Sequence, residues 1–229
     1  MKKAKILLAL LLTALFVLSA LGSGESSSSS DVPVEDDYVV DTYEPEAEEP
    51  VEEAKEISRG VISGNTYYND FAGFNFTKLS DWRFYTDEEL AESFNASQAE
   101  LDLNLLEEAL LNNVLVYDMA AVDESGNSVM VYYENTKVTS LTTVTLDEYV
   151  DELNDIMEED DPDITYTHVS TEDVMLGTTT YKKLLYSASM DGFSMDQAYY
   201  VRLVDQYAVV VIITGGFTKT LPEMEAMFS

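Results

Sequence analysis

The sequence predicts an α+β domain in which an antiparallel β-sheet is flanked by helices on its faces. Three observations predict it. Short runs alternate apolar and polar residues, as Val129, Val131 and Tyr133 do. Turn signals at Asp123–Asn127 and Asp191-Gly192 join such runs into hairpins. Between the hairpins lies a stretch with apolar residues at helical spacing, Leu146, Tyr149, Val150, Leu153, Ile156 and Met157. Strands grouped in this way imply an antiparallel sheet with helices packed against it.

The chain opens with an export leader, residues 1–24. Lys2, Lys3 and Lys5 form a basic flank, and Ile6 to Leu21 is apolar except for Thr13 and Ser19. The run is shorter than the ~20 residues that span a bilayer. Ala20 and Gly22 are small, which predicts cleavage after Gly22. The region resembles a bacterial lipoprotein signal, whose box ends in a lipid-bearing cysteine before a serine-rich spacer. Here Ser26 to Ser30 supply the spacer, and Ser23 stands at the cysteine position. A hydroxyl cannot form the thioether. Three outcomes stay open: release, an uncleaved leader as membrane anchor, or a sequence change at Ser23 in a family otherwise lipidated. Intact mass of the mature N-terminus separates them.

Residues 25–57 hold thirteen acidic residues and one basic residue, Lys55, with Pro33, Pro45 and Pro50. Such a stretch buries too little apolar surface to offset its ordering entropy, which predicts a disordered, extended acidic tether. Residues 58–229 are expected to form one globular domain, long enough to build its own core.

Within that domain, Phe74 and Phe76 share one face of a strand, and Trp82 reads as a packing residue. Thr86 and Glu89 form a capping box, predicting a helix from Asp87 to about Phe94. Leu103, Leu106, Leu110 and Leu111 predict a second helix over 98–112. A strand follows over Val114–Val122, with Leu115, Tyr117, Met119 and Ala121 expected on one face, and Ser128–Glu134 returns from it. Thr145 and Glu148 cap the helix expected over Thr145–Asp160, whose outer face is acidic. Ile164–Val169 and Val174–Leu176 read as two strands. Thr178–Met190 and Phe193–Val204 read as a long hairpin. Tyr207–Ile213, apolar almost throughout, predicts a central strand covered on both faces. Leu221–Phe228 predicts a terminal helix with Pro222 in its first turn.

Composition excludes several functions. The formal net charge is −32, with 44 acidic against 12 basic residues. Nucleic-acid binding needs a basic face, which this chain lacks. Direct adhesion to anionic lipid is disfavoured in the same way, so membrane association is expected only through an uncleaved leader or a lost lipid anchor. There are no cysteines, hence no disulfides, thiolate metal sites or cysteine nucleophiles.

The domain resembles the PsbP-like family of α/β/α sandwiches, which includes many small exported bacterial lipoproteins. The resemblance is carried by Tyr67-Tyr68-Asn69 leading into Phe74-Asn75-Phe76, by Leu79-Ser80-Asp81-Trp82, and by Thr145-Leu146-Asp147-Glu148-Tyr149. Leu176-Gly177-Thr178-Thr179-Thr180-Tyr181 continues it, and Gln197–Val201 with Tyr207–Ile212 closes it. The resemblance implies a non-catalytic domain that assists an assembly or contacts another protein.

No residue type and spacing selects a catalytic, cofactor-binding or metal site. His168, the one histidine, lies in an expected strand with no nucleophile elbow to serve. A single histidine without cysteine argues against zinc, and no phosphate loop or dinucleotide fingerprint is present. Asp123–Ser128 lacks the spacing and distal Glu of a calcium loop. The carboxylates from Asp155 to Asp163 read as a solvated helix end. The expectation is an exported interaction or assembly-accessory domain of the bacterial cell envelope, secreted or at the cell surface, with another envelope or secreted protein as partner and no cofactor. The alternative is an extracytoplasmic small-ligand or cation-binding protein with a pocket between sheet and helices.

Overall fold

The computed structural model describes residues 57–94, 115–139, 144–158, 164–190, 193–216 and 218–229. The leader, the tether through residue 56, the helix expected over 98–112, the end of the acidic helix over 159–163 and the Asp191-Gly192 turn lie outside the described residues.

In chain order the elements are β1 (Val61–Ser63), β2 (Thr66–Asn69), β3 (Phe74–Thr77), β4 (Trp82–Phe84), α1 (Asp87–Phe94), β5 (Leu115–Asp123) and β6 (Ser128–Asn135). Next come α2 (Thr136–Thr139), α3 (Leu146–Met157), β7 (Thr165–Leu176), β8 (Thr179–Met190), β9 (Phe193–Val204), β10 (Tyr207–Gly215) and α4 (Leu221–Glu225). Among the described residues seven strands form one sheet in the order β4-β5-β6-β10-β9-β8-β7, and β1-β2-β3 form a second, small meander. The pairings are antiparallel throughout. The expected α+β class, an antiparallel sheet with helices on its faces, is the one found.

β10 sits at the middle of the large sheet, and all nine of its residues are buried. Its apolar run is explained by its two covers. On one face Val209, Val211 and Ile213 join Val129, Val131 and Tyr133 of β6. They pack beneath Phe74 and Phe76 of the small sheet and Leu221 and Met224 of α4. On the other face Ala208, Val210 and Ile212 join Tyr132, Tyr199 and Leu184 beneath Tyr149, Val150, Leu153 and Met157 of α3. The predicted helical stripe is therefore the stripe that meets the sheet. Thr145 accepts from the Glu148 amide at 3.3 Å, and Glu148 accepts from the Thr145 amide at 2.9 Å. The box satisfies two helix-end donors and sets where α3 begins.

Three local expectations are corrected. β5 does not keep Leu115, Tyr117, Met119 and Ala121 on one face. A β-bulge between Tyr117 and Met119 shifts its register against β6. Tyr117 lies toward α3, while Val116, Met119 and Ala121 lie toward the small sheet. The two strands expected at Ile164–Val169 and Val174–Leu176 are one strand, β7, carried past Val169 by a second bulge between His168 and Ser170. The terminal helix stops at Glu225 instead of running to Phe228. Phe228 then pairs with Phe76 as a bridge, and Asn75 and Ser229 exchange backbone hydrogen bonds at 2.8 and 2.9 Å. The Phe228 ring lies 5.2 and 5.1 Å from those of Phe74 and Phe76, an aromatic contact a continued helix would forgo.

Leu153 is buried at the centre of the α3 contact. Replacing it with Ala is expected to cost about 2–5 kcal/mol of unfolding free energy through lost burial and the cavity left behind. Urea denaturation followed by far-UV circular dichroism measures this.

Candidate functional site

The bulge in β5 places two successive residues, Asp118 and Met119, toward the same face. Met119 fills core. Asp118 is a carboxylate in the same dry region, with its side chain wholly covered. A buried charge is tolerated only when paired and hydrogen-bonded, and the surrounding chain supplies both.

Arg59 Nε donates to Asp118 Oδ1 at 3.0 Å, and Arg59 Nη2 donates to the Asp118 carbonyl at 2.9 Å. The Gly60 amide donates to Oδ2 at 2.9 Å. Asn69 Nδ2 and the Tyr133 hydroxyl reach Oδ2 at 3.0 and 2.9 Å, and the Tyr67 hydroxyl donates to it as well. Asn69 is fixed in turn, because its Oδ1 accepts from the Ala72 amide at 2.8 Å. The donors come from the entering segment, from β2 and from β6, so one carboxylate ties three parts of the chain together. Gly60 is required at its position. A Cβ there would lie 2.2 Å from the Tyr67 ring, and a side chain would displace the amide from Asp118.

Burial pushes the Asp118 carboxyl above its ordinary value, against the pull of the Arg59 charge and the donors Tyr67, Gly60 and Tyr133. For Arg59, burial works to discharge the guanidinium. The charges of Asp118 and Asp87 outweigh it and hold the group above its ordinary value. Burial first, and the neighbouring carboxylate second, push the Tyr67 and Tyr133 phenols well above theirs, so both remain donors. Arg59, Gly60 and Asn69 Nδ2 can only donate, so the arrangement selects Asp118 as an acceptor. Its oxygens are occupied, which leaves no free lone pair for general-base or nucleophilic work. The geometry makes this a structural clasp.

A second polar cluster lies on the α3 face. The Tyr149 hydroxyl donates to Glu134 Oε2 at 2.6 Å, linking α3 to β6. Next to it, the buried Tyr132 hydroxyl lies against the Tyr149 hydroxyl, whose hydrogen is already given to Glu134. Burial raises the Glu134 carboxyl to about 7, with Tyr149 opposing the shift and the Glu152 charge adding to it.

The residues weighed in the sequence fall elsewhere. His168 is exposed on β7, where Nε2 meets Thr171 Oγ1 at 2.9 Å and the ring packs edge-on against Tyr186. It stands apart from both polar clusters. Asp123 closes its own hairpin: Oδ1 accepts from the Ser125 and Asn127 amides at 2.9 and 3.0 Å, and Oδ2 from Asn127 Nδ2 at 2.7 Å. Asp155 on α3 and Glu158 at its C-cap are exposed. Among the described residues no three His, Asp or Glu side chains come together as a metal site. Sequence reasoning missed Asp118, Arg59, Asn69 and Glu134. A signal for the first existed: an aspartate interrupts the otherwise apolar Leu115–Val122 run.

Asp118→Asn is expected to lower stability by about 3–5 kcal/mol, since Arg59 loses its buried counter-charge and keeps Asp87, which is exposed. Adding Arg59→Gln to that variant should cost far less than the sum of the two single changes. A double-mutant cycle in urea measures the coupling. Glu134 carries a pH dependence with a definite sign. Its folded value of about 7 exceeds the ordinary 4.5, so its stabilisation is full below about pH 4.5 and is lost as pH rises through 7. The loss is on the order of 1–3 kcal/mol, tempered by partial exposure of the side chain. Melting temperatures across pH 4–8 should fall less steeply in Glu134→Gln than in the unmodified chain.

No family model matches the chain, and no curated protein matches it. Among solved structures it is similar to cyanobacterial PsbP (CyanoP) from Synechocystis sp. PCC 6803, with a TM-score of 0.42 and 14% sequence identity over 79% of this chain and 98% of that one.

Proposed function

We propose that this chain is an exported, non-catalytic interaction or assembly-accessory domain of the bacterial cell envelope, carried on an acidic tether and working outside the cytoplasm. The observation that carries the reading is the Asp118 clasp. A fully buried acid is a natural candidate for altered reactivity, yet its acceptor capacity goes into fastening Arg59 and Gly60 to Tyr67, Asn69 and Tyr133. Those two residues follow directly on the acidic segment. The domain is thus built to hold a tethered N-terminal connection firmly while presenting the rest of its surface. The leader motif and the acidic segment support export and tethering, and the sequence resemblance to PsbP-like proteins supports an accessory role. The net charge of −32 favours basic or neutral partners over anionic ones.

Photo-crosslinking of the intact chain in native cell envelopes tests the reading. A discrete protein adduct that is lost when the exposed strands are altered is expected. Turnover of an extracellular substrate that disappears on mutation of one carboxylate would defeat it.

A further inference from the structure

We propose that the outer edge of β7 over Ser170–Met175 receives an extended, basic segment of a partner protein as an added strand, with a Lys or Arg of that segment set against Glu172. This rests on the interaction-module reading and names the docking edge.

Among the described residues β7 ends the seven-strand order and pairs with β8 alone. A strand in that position presents a row of unpaired backbone N–H and C=O groups, ready to template another strand. The bulge at Val169 interrupts the edge, but from Ser170 to Leu176 the register against β8 is unbroken. This stretch offers a partner a regular ladder. Thr165–Leu176 contains no Lys, Arg or Pro, and its two carboxylates, Glu172 and Asp173, turn away acidic strands while leaving the edge open to basic ones. Val169 and Met175 expose apolar side chains at its two ends, 57% and 61% accessible.

The charges specify the partner. β7 carries adjacent carboxylates, and they are treated differently. Asp173 is compensated across the ladder by Lys182 at 2.8 Å. Glu172 stands opposite Lys183, but that ammonium reaches away to Glu225 of α4 at 2.6 Å. Among the described residues Glu172 therefore has no ion-pair partner. A cation arriving on the next strand would face an uncompensated carboxylate without displacing an existing pair. A second copy of this chain fits poorly, because each copy brings a net charge of −32.

The test uses the full chain and a terminally blocked decapeptide that alternates threonine and valine around one central arginine. Two comparison peptides carry glutamate in place of that arginine, or methyl groups on alternate backbone nitrogens. Amide hydrogen exchange at Ser170–Met175 and the dissociation constant are measured. The arginine peptide is expected to slow exchange there about tenfold near saturation. The glutamate peptide should bind several-fold more weakly, and the methylated peptide should not protect β7. In Glu172→Gln the preference for arginine over glutamate should shrink to about twofold or less. Unchanged exchange at millimolar peptide, protection at β1 instead, or equal binding of the methylated peptide overturns the proposal. Concentration-dependent protection without peptide assigns the edge to a second copy and also overturns it. Crosslinks that trap a partner away from β7 would sink this site while sparing the interaction-module reading. Substrate turnover with no trapped partner would sink both.

Discussion

The architecture hinges on a single buried carboxylate. Asp118 sits where β5 carries one residue too many for its partner strand, and that extra residue turns an apolar strand into the holder of a charge. An unpaired carboxylate in such a place would be expelled or neutralised. It remains because Arg59, Gly60, Tyr67, Asn69 and Tyr133 converge on it from positions far apart in sequence. The small β1-β2-β3 sheet is thereby locked to the large one by polar contacts as well as by the rings of Phe74 and Phe76. Hydrophobic packing sets that the two sheets meet; the clasp sets where.

The same logic organises the turn at Asp70–Gly73. The Ala72 carbonyl accepts from Tyr181 Oη at 2.6 Å and Arg202 Nη1 at 3.1 Å, and the Gly73 carbonyl accepts from Thr179 Oγ1 at 2.7 Å. Residues of β8 and β9 thus read the backbone of a turn in the small sheet. Gly73 adopts φ +80, and a Cβ on it would lie 2.4 Å from Thr179 Oγ1, so the close approach needs glycine. At the opposite face Tyr149 of α3 donates to Glu134 of β6 beside the buried phenol of Tyr132. One face of the sheet is therefore closed by a dense polar clasp and the other mainly by packing. Titration of Glu134 acts on the second.

Much of the fold was legible because its signals are local. Capping boxes at Thr86 and Thr145 satisfy amides within three residues, so they mark α1 and α3 without reference to the rest of the chain. The unbroken apolar run of β10 announced burial on both faces, and the spacing of Leu146 to Met157 announced which side of α3 would face inward. Two of the errors share one cause. A bulge inverts the facing of every residue beyond it, and nothing in Leu115–Val122 or Tyr166–Val174 states by itself where the extra residue falls. The helix at Leu221 was overextended because Phe228 gains more from Phe74 and Phe76 than from another helical turn, and that contact spans about 150 residues of chain.

The sequence by itself determined the charge, the absence of thiol chemistry, the hairpin order and the amphipathic helix, since each depends on composition or on neighbours a few positions apart. Only the tertiary structure decided the candidate site. Arg59 and Asp118 are fifty-nine positions apart, and Tyr133 lies beyond both. A buried charge chooses its partners by where the fold brings donors together, and that is fixed by the packing of two sheets. For the same reason Glu172 reads in the sequence as one acidic residue among 44, and only the diversion of Lys183 to Glu225 sets it apart.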